Sequence, residues 1–294
     1  MAAEGGAAHL ALARELARRF GALAEVRAVA AGGSVATGAA GPGSDLDLYV
    51  FTAGEPPLAA RRAMVAALGD GGRVELDLRY WDPGDAWFSA AGVEVDVVYW
   101  DARWIGEQLE RVLTRHEPSV GYSTCHWRTL RHMLPLFDRD GWLARLQARA
   151  QAPYPQALAD AIIARNHPLL RDAIPCYRAQ IAKALARGDD VSVNHRVAAL
   201  LASYFDVLFA LNRELHPGEK RLVAAAQAQC ERLPAQLAGD VAAVLAASAA
   251  AASAAAASAL AAAGLLGAID ALADGLDALL LAAGYDPRTG RRAP

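Results

Sequence analysis

Between Ala31 and Phe51 the chain reads AGGSVATGAAGPGSDLDLYVF. The closing segment alternates as a strand does, with successive side chains on opposite faces. Asp45 and Asp47 therefore share one face, while Leu46, Leu48 and Val50 turn toward a core. Two carboxylates side by side repel and cost stability unless a positive charge sits between them. Oxygen-only ligands suit Mg²⁺, so the pattern points to a metal-dependent site for phosphoryl-type transfer. Upstream, Gly32 and Gly33 permit a tight turn and a close approach of phosphate to the main chain. Ser34 follows where a short helix can begin, its hydroxyl and nearby N–H groups suited to an anion.

The surrounding chain reads first as mixed α and β structure. Leu10, Leu12, Leu16 and Phe20 recur at helical spacing within residues 7–23, and 26–30 is a short buried strand. A helix over 58–68 follows the Pro56-Pro57 break. Residues 74–80 alternate with Glu75, Asp77 and Arg79 on one face. After the turn-rich Asp82-Pro83-Gly84-Asp85, residues 93–99 place Glu94 and Asp96 on one strand face. Beyond Trp104 the strand signals stop, and helices are expected over 105–113, 127–136, 141–150, 158–164, 177–187 and 191–215.

Charge and length narrow the function. The 294 residues suffice for two domains, and a net charge of −3 argues against nucleic acid as partner. Cys125, Cys176 and Cys230 form no CxxC pair, which fits a reducing cytoplasm better than a disulfide scaffold or zinc site. No signal core is seen at the N-terminus. An uncharged run over 241–269 is long enough to span a bilayer, but it is mostly alanine with serines at 248, 253 and 258. It reads as a low-complexity helix or insert within 238–268 and as no membrane partner. No GxxxxGK[ST] loop occurs, which disfavours a P-loop kinase.

Gly33-Ser34, ten intervening residues and Asp45-Leu46-Asp47-Leu48 resemble the signature of the DNA polymerase β-like nucleotidyltransferase superfamily. Asp96 in VEVDVVYW best matches that signature's third acid, with Glu94 and Asp77 as open alternatives. GYSTCHWRTL, PLFDRDGWL, QAPYPQAL and FALNRELHPGEKRL extend the likeness to bacterial two-domain members related to the antibiotic adenylyltransferases. The resemblance implies an α+β chain: a small mixed-sheet nucleotidyltransferase domain with flanking helices over 1–112, then an all-helical domain over 113–294. It implies two Mg²⁺ ions held by Asp45, Asp47 and Asp96, with Gly33 and Ser34 on the phosphates of ATP or another nucleotide. The expected reaction moves a nucleoside monophosphate, AMP by preference, to a hydroxyl of a small acceptor such as an aminoglycoside or lincosamide. An antitoxin-like enzyme that modifies a protein hydroxyl, and a non-catalytic nucleotide-binding protein, are the alternatives.

A second set of polar residues follows the helix periodicity. His195, Asp206 and Arg213 fall on nearly one line of the helix over 191–215, as a solvated stripe would. Asp206 beside Phe209 also reads as a paired, half-buried acid. In the turn that follows, Arg213 and Lys220 are candidate phosphate ligands through charge-assisted hydrogen bonds. Trp104 and Trp127 are the tryptophans to consider for base stacking, against the commoner role of core residues.

Overall fold

The computed structural model describes residues 2–41, 43–253 and 259–292. The chain divides into two compact units, one of residues 1–110 and 126–152, the other of 111–125 and 153–294. A single cut at 112/113 does not describe this division, because the chain returns to the first unit to add a strand and two helices.

In the first unit, α1 (Ala2–Gly21) leads into β1 (Val26–Ala31), the short α2 (Gly33–Ala36) and β2 (Leu46–Thr52). α3 (Leu58–Leu68), β3 (Gly69–Leu78), β4 (Gly84–Ser89) and β5 (Glu94–Asp101) follow, then α4 (Ala102–Leu113), α5 (Cys125–His132), β6 (Leu134–Asp138) and α6 (Trp142–Ala150). The strands form a six-stranded sheet in the order β3-β4-β5-β2-β1-β6. β2 and β5 are parallel, and every other neighbouring pair is antiparallel. A parallel pair needs a long crossover, which α3, β3 and β4 provide. Leu46, Leu48 and Val50 pack with Val95 and Val97 against Leu16 and Phe20 of α1 and Met64 and Val65 of α3. On the other face of β2 and β5, Asp47, Tyr49, Asp96 and Val98 are partly exposed, whereas Phe51 and Trp100 farther along are buried.

Three departures from the expected elements have local causes. The segment Asp82–Asp85 is not only a turn: β4 begins at Gly84, and Asp85 is 2% exposed. Its oxygens accept from Arg61 (2.8 Å) and from the Tyr99 hydroxyl (2.6 Å), which makes burial of the acid tolerable. The expected helix over 127–136 stops at His132, and Leu134–Asp138 pairs with β1 as an edge strand. Pro135 cannot sit inside a helix but is accommodated at a sheet edge. In β3 the alternation breaks where the register shifts between Glu75 and Leu78 and Asp77 adopts φ +65°.

The second unit is built on α7 (Gln156–Asn166), α8 (Pro168–Arg171), α9 (Tyr177–Ala186) and α10 (Asp190–Asn212), followed by α11 (Leu222–Gln229), α12 (Leu237–Ser253) and α13 (Ala259–Ala282). Two-residue strands β7 (Tyr285–Asp286) and β8 (Arg291–Arg292) close it. The alanine-rich stretch falls on α12 and α13, and its residues 254–258 lie outside the described residues. Among the described residues no helix is long and apolar enough to cross a membrane.

α10 corrects the expected solvated stripe. His195 lies on its exposed first half, whereas residues 202–211 are buried on every side. Asp206 is 1% exposed. It accepts from Ser123 N (3.0 Å), Ser123 Oγ (2.6 Å) and Asn166 Nδ2 (3.2 Å). Burial nevertheless pushes its carboxyl up to about 7, against the lowering effect of the Ser123 hydrogen bonds and Arg111.

Two outcomes follow. Asp85→Ala strips the buried Arg61 of its closest carboxylate, and urea denaturation should show a loss of roughly 3–5 kcal/mol. The folded chain also holds the Asp206 proton more tightly than the unfolded chain, whose carboxyl titrates near 4. Stability from this group is therefore fully present below about pH 4 and is lost as pH rises to about 7, by roughly 4 kcal/mol in total. Asp206→Asn should flatten that slope in denaturation curves taken between pH 4 and 8; an unchanged slope would assign it to other groups.

Candidate active site

The accessible face of the sheet gathers the acids. Parallel pairing sets Asp47 directly opposite Asp96, and Asp45 stands one residue before β2. One carboxylate oxygen from each of Asp45, Asp47 and Asp96 lies within 4.8 Å of the others. Asp45, Asp47 and Asp96 are thus brought together by a strand and its parallel neighbour, 49 residues apart in sequence at the crossing pair.

The glycine turn lies against the same carboxylates. Gly32 N donates to Asp47 O at 2.9 Å, fastening the end of β1 to β2. Gly33 has φ +50°, and a Cβ built there would overlap Asp47 Oδ2. At Gly32 a Cβ would run into the ring of Tyr49. Both positions therefore need glycine for close approach, and Gly33 also for its backbone. Ser34 follows with a buried Oγ that makes no hydrogen bond in the chain, a condition that costs about 1–3 kcal/mol when it is left unmet.

Side chains outside the motif hold this geometry. His9, 4% exposed, donates from Nε2 to the Ser44 carbonyl at 2.9 Å, and Ser44 Oγ accepts from Gly41 N at 3.0 Å. Together these contacts close the loop just ahead of Asp45. Tyr49 shares the face of Asp47 and lies 4.7 Å from the Trp100 ring. Burial, then the charges of Asp47 and Asp82, push its hydroxyl up to about 12, so it stays protonated at neutral pH. Neither His9 nor Tyr49 was marked by the sequence pattern. His9 sits in an otherwise ordinary amphipathic helix, and its target is a backbone carbonyl, which leaves no trace in residue types.

The remaining candidates have their own partners within their units. Asp77 pairs with Arg79 at 2.7 Å and Arg61 at 3.5 Å, while Glu94 is exposed and opposite Phe88. Trp127 is a core residue, 1% exposed, donating to Ala150 O at 2.7 Å. Trp104 packs edge-on against Trp100 and His126. In the helical unit, Arg213 ends α10 with a left-handed backbone, and its guanidinium donates to Gln156 Oε1. Lys220 is exposed in the turn before α11. His216 is fully buried between Tyr122 and Phe209, with Nδ1 3.4 Å from Cys125 Sγ; it is a core histidine.

Comparison with known proteins bears on one part of the chain. Residues 12–116 match the family model described as "Nucleotidyltransferase domain". That span contains the glycine turn and all three acids. No curated protein matches the chain. A solved structure described as a nucleotidyltransferase-like protein from Exiguobacterium sibiricum 255-15 is 12% identical, with 93% of this chain and 75% of that chain covered at a TM-score of 0.43. The domain match supports nucleotidyl transfer in general, and the donor chemistry agrees with it. Three carboxylates form an oxygen-only set fit for Mg²⁺, beside an unsatisfied hydroxyl and two glycines with no room for a side chain.

Gly33→Ala should displace the Asp47 carboxylate and strain a left-handed backbone. Isothermal titration should show Mg²⁺–nucleotide affinity falling at least about tenfold, with the far-ultraviolet circular dichroism unchanged. Retained affinity would mean that this turn does not approach the ligand.

Proposed function

We propose that the chain transfers a nucleoside monophosphate, AMP from ATP, to a hydroxyl of a small acceptor and releases pyrophosphate. The convergence of Asp45, Asp47 and Asp96 within 4.8 Å carries this reading, and the nucleotidyltransferase-domain match over the same residues supports it.

Asp45, Asp47 and Asp96 would hold the divalent cations, two Mg²⁺ ions by the donor chemistry. When bound, such ions supply charge neutralisation at the phosphates and lower the pKa of a coordinated hydroxyl. Ser34 Oγ and the main-chain N–H groups of the Gly33-Ser34 turn donate to oxygens of the β- and γ-phosphates. The acceptor oxygen forms a bond to the α-phosphorus as the bond from that phosphorus to the β-phosphate oxygen breaks. A carboxylate oxygen of Asp96 takes the hydroxyl proton, and the electron pair of the broken bond leaves with pyrophosphate. Tyr49, held protonated, remains a neutral donor beside Asp47. The three free cysteines agree with action in a reducing cytoplasm, where ATP and Mg²⁺ are supplied.

The test is incubation with α-labelled ATP, Mg²⁺ and a panel of hydroxylated small molecules that includes aminoglycosides and lincosamides. Label should move to an acceptor as pyrophosphate appears. Asp47→Asn should reduce the rate by more than about 100-fold, since even outer-shell changes at metal sites cost 10–100-fold. Pyrophosphate release surviving in that variant would sink the metal assignment.

A further inference from the structure

The sheet continues past Asp96 into a feature that the transfer chemistry has not used. Three registers align across four strands: Asp47 opposite Asp96, Asp96 opposite Ala86, and Ala86 opposite Glu75. Ala86 is the small member of this row. Above it opens a cavity of about 520 Å³ whose lining includes Asp96, Glu94, Glu75, Phe88 and Trp81. Trp81 is 92% exposed and Phe88 37%, an unusual placement for large apolar rings beside a polar site.

We propose that this cavity is the acceptor subsite, and that it takes a hydroxylated molecule carrying one positive charge beside an apolar ring. The proposal rests on the transfer reading, and in-line geometry supplies the first reason. Entering and leaving oxygens lie on opposite sides of the reacting phosphorus. The Gly33-Ser34 turn is fastened to β2 from the β1 side, so the leaving pyrophosphate occupies that side. The hydroxyl then enters from the β5-β4-β3 side, where the cavity lies. Asp96 borders the cavity and faces the entering oxygen.

Charge and surface give the chemical class. Arg73 neutralises Glu75 at 2.9 Å, and Asp96 belongs to the metal set. Glu94 has no ion pair among the described residues, so one negative charge remains uncompensated in the lining. A cation over an aromatic face is attracted by the ring as well as by a nearby carboxylate. Ala86 leaves the floor open to an apolar ring between the strands that carry Asp96 and Glu75.

The probe is benzyl(2-hydroxyethyl)dimethylammonium, compared with its uncharged carbon isostere 3,3-dimethyl-4-phenylbutan-1-ol. Each is titrated calorimetrically into the full chain with Mg²⁺ and α,β-methylene-ATP, which cannot complete the transfer; affinity for that analogue is measured in the same variants. The cation should bind about tenfold more tightly than the isostere. Glu94→Gln and Trp81→Ala should each weaken it about five- to tenfold without altering analogue affinity. Ala86→Leu should abolish probe binding. Equal affinity for the isostere, no binding of either probe, or a cation affinity indifferent to both Glu94→Gln and Trp81→Ala overturns the proposal. Loss of analogue binding alone in Asp47→Asn, with probe binding kept, leaves the subsite standing, whereas no analogue binding by the unaltered chain overturns the transfer reading and the acceptor role with it.

Discussion

The parallel pairing of β2 with β5 sets Asp47 directly across from Asp96, at a strand spacing of about 4.8 Å. Like charges opposite one another destabilise a sheet. Two unit charges at that spacing repel by about 1 kcal/mol in water and about 3–4 kcal/mol at an effective dielectric of 20. Against this stand Leu46, Leu48, Val50, Val95 and Val97, all buried on the other face and each worth about 1.5–3 kcal/mol. The core wins by a wide margin. A one-residue slip would separate the acids but would turn these apolar residues to solvent. The repulsion is therefore locked in by packing, and it falls where the proposed transfer would bring a divalent cation.

That lock explains why the neighbouring turn is so restricted. With Asp47 fixed, the chain leaving β1 must pass within hydrogen-bond distance of its carbonyl, and its next two residues meet the Asp47 carboxylate and the Tyr49 ring. Glycine is required at both. The loop that leads back to Asp45 is held through Ser44, by His9 from α1 and by Gly41. Helix, turn and strand thus converge on three carboxylates with little freedom left in the backbone between them.

What could be read from residues follows this division. The Asp-x-Asp strand and the glycine turn follow from period and spacing, because each depends on local geometry. The α+β order was legible for the same reason, and α3 matches its expected bounds over Leu58–Leu68. Asp96 comes from the family resemblance, with Glu94 and Asp77 open, since its place depends on the pairing of two strands far apart in sequence. β4 and β6 were not legible. β4 carries a buried acid whose tolerance depends on Arg61, 24 residues away, and β6 is a five-residue edge strand that exists because β1 offers it a partner. For Asp206 the period of α10 leaves two readings, a solvated stripe and a paired, half-buried acid. The burial around the helix's second half, set by the rest of the helical unit, decides for the second.

Acids from β2, β4 and β5 gather toward opposite ends of β5, and their surroundings differ. Toward the far end of β5, Tyr99 meets Asp85 and Arg61, and the guanidinium and hydroxyl come from the chain itself. There the acid is withdrawn to 2% exposure. At the near end Asp47 and Asp96 remain partly accessible to solvent, beside a glycine turn and a serine hydroxyl left without a hydrogen bond. An acid the chain satisfies internally can be buried; under the proposed transfer, an acid that takes a hydrated ion stays open to its arrival. Composition gives Asp85 and Asp47 the same letter. Their difference lies in their surroundings: Asp85 is buried against a guanidinium and a hydroxyl, and Asp47 stands partly open beside two other carboxylates.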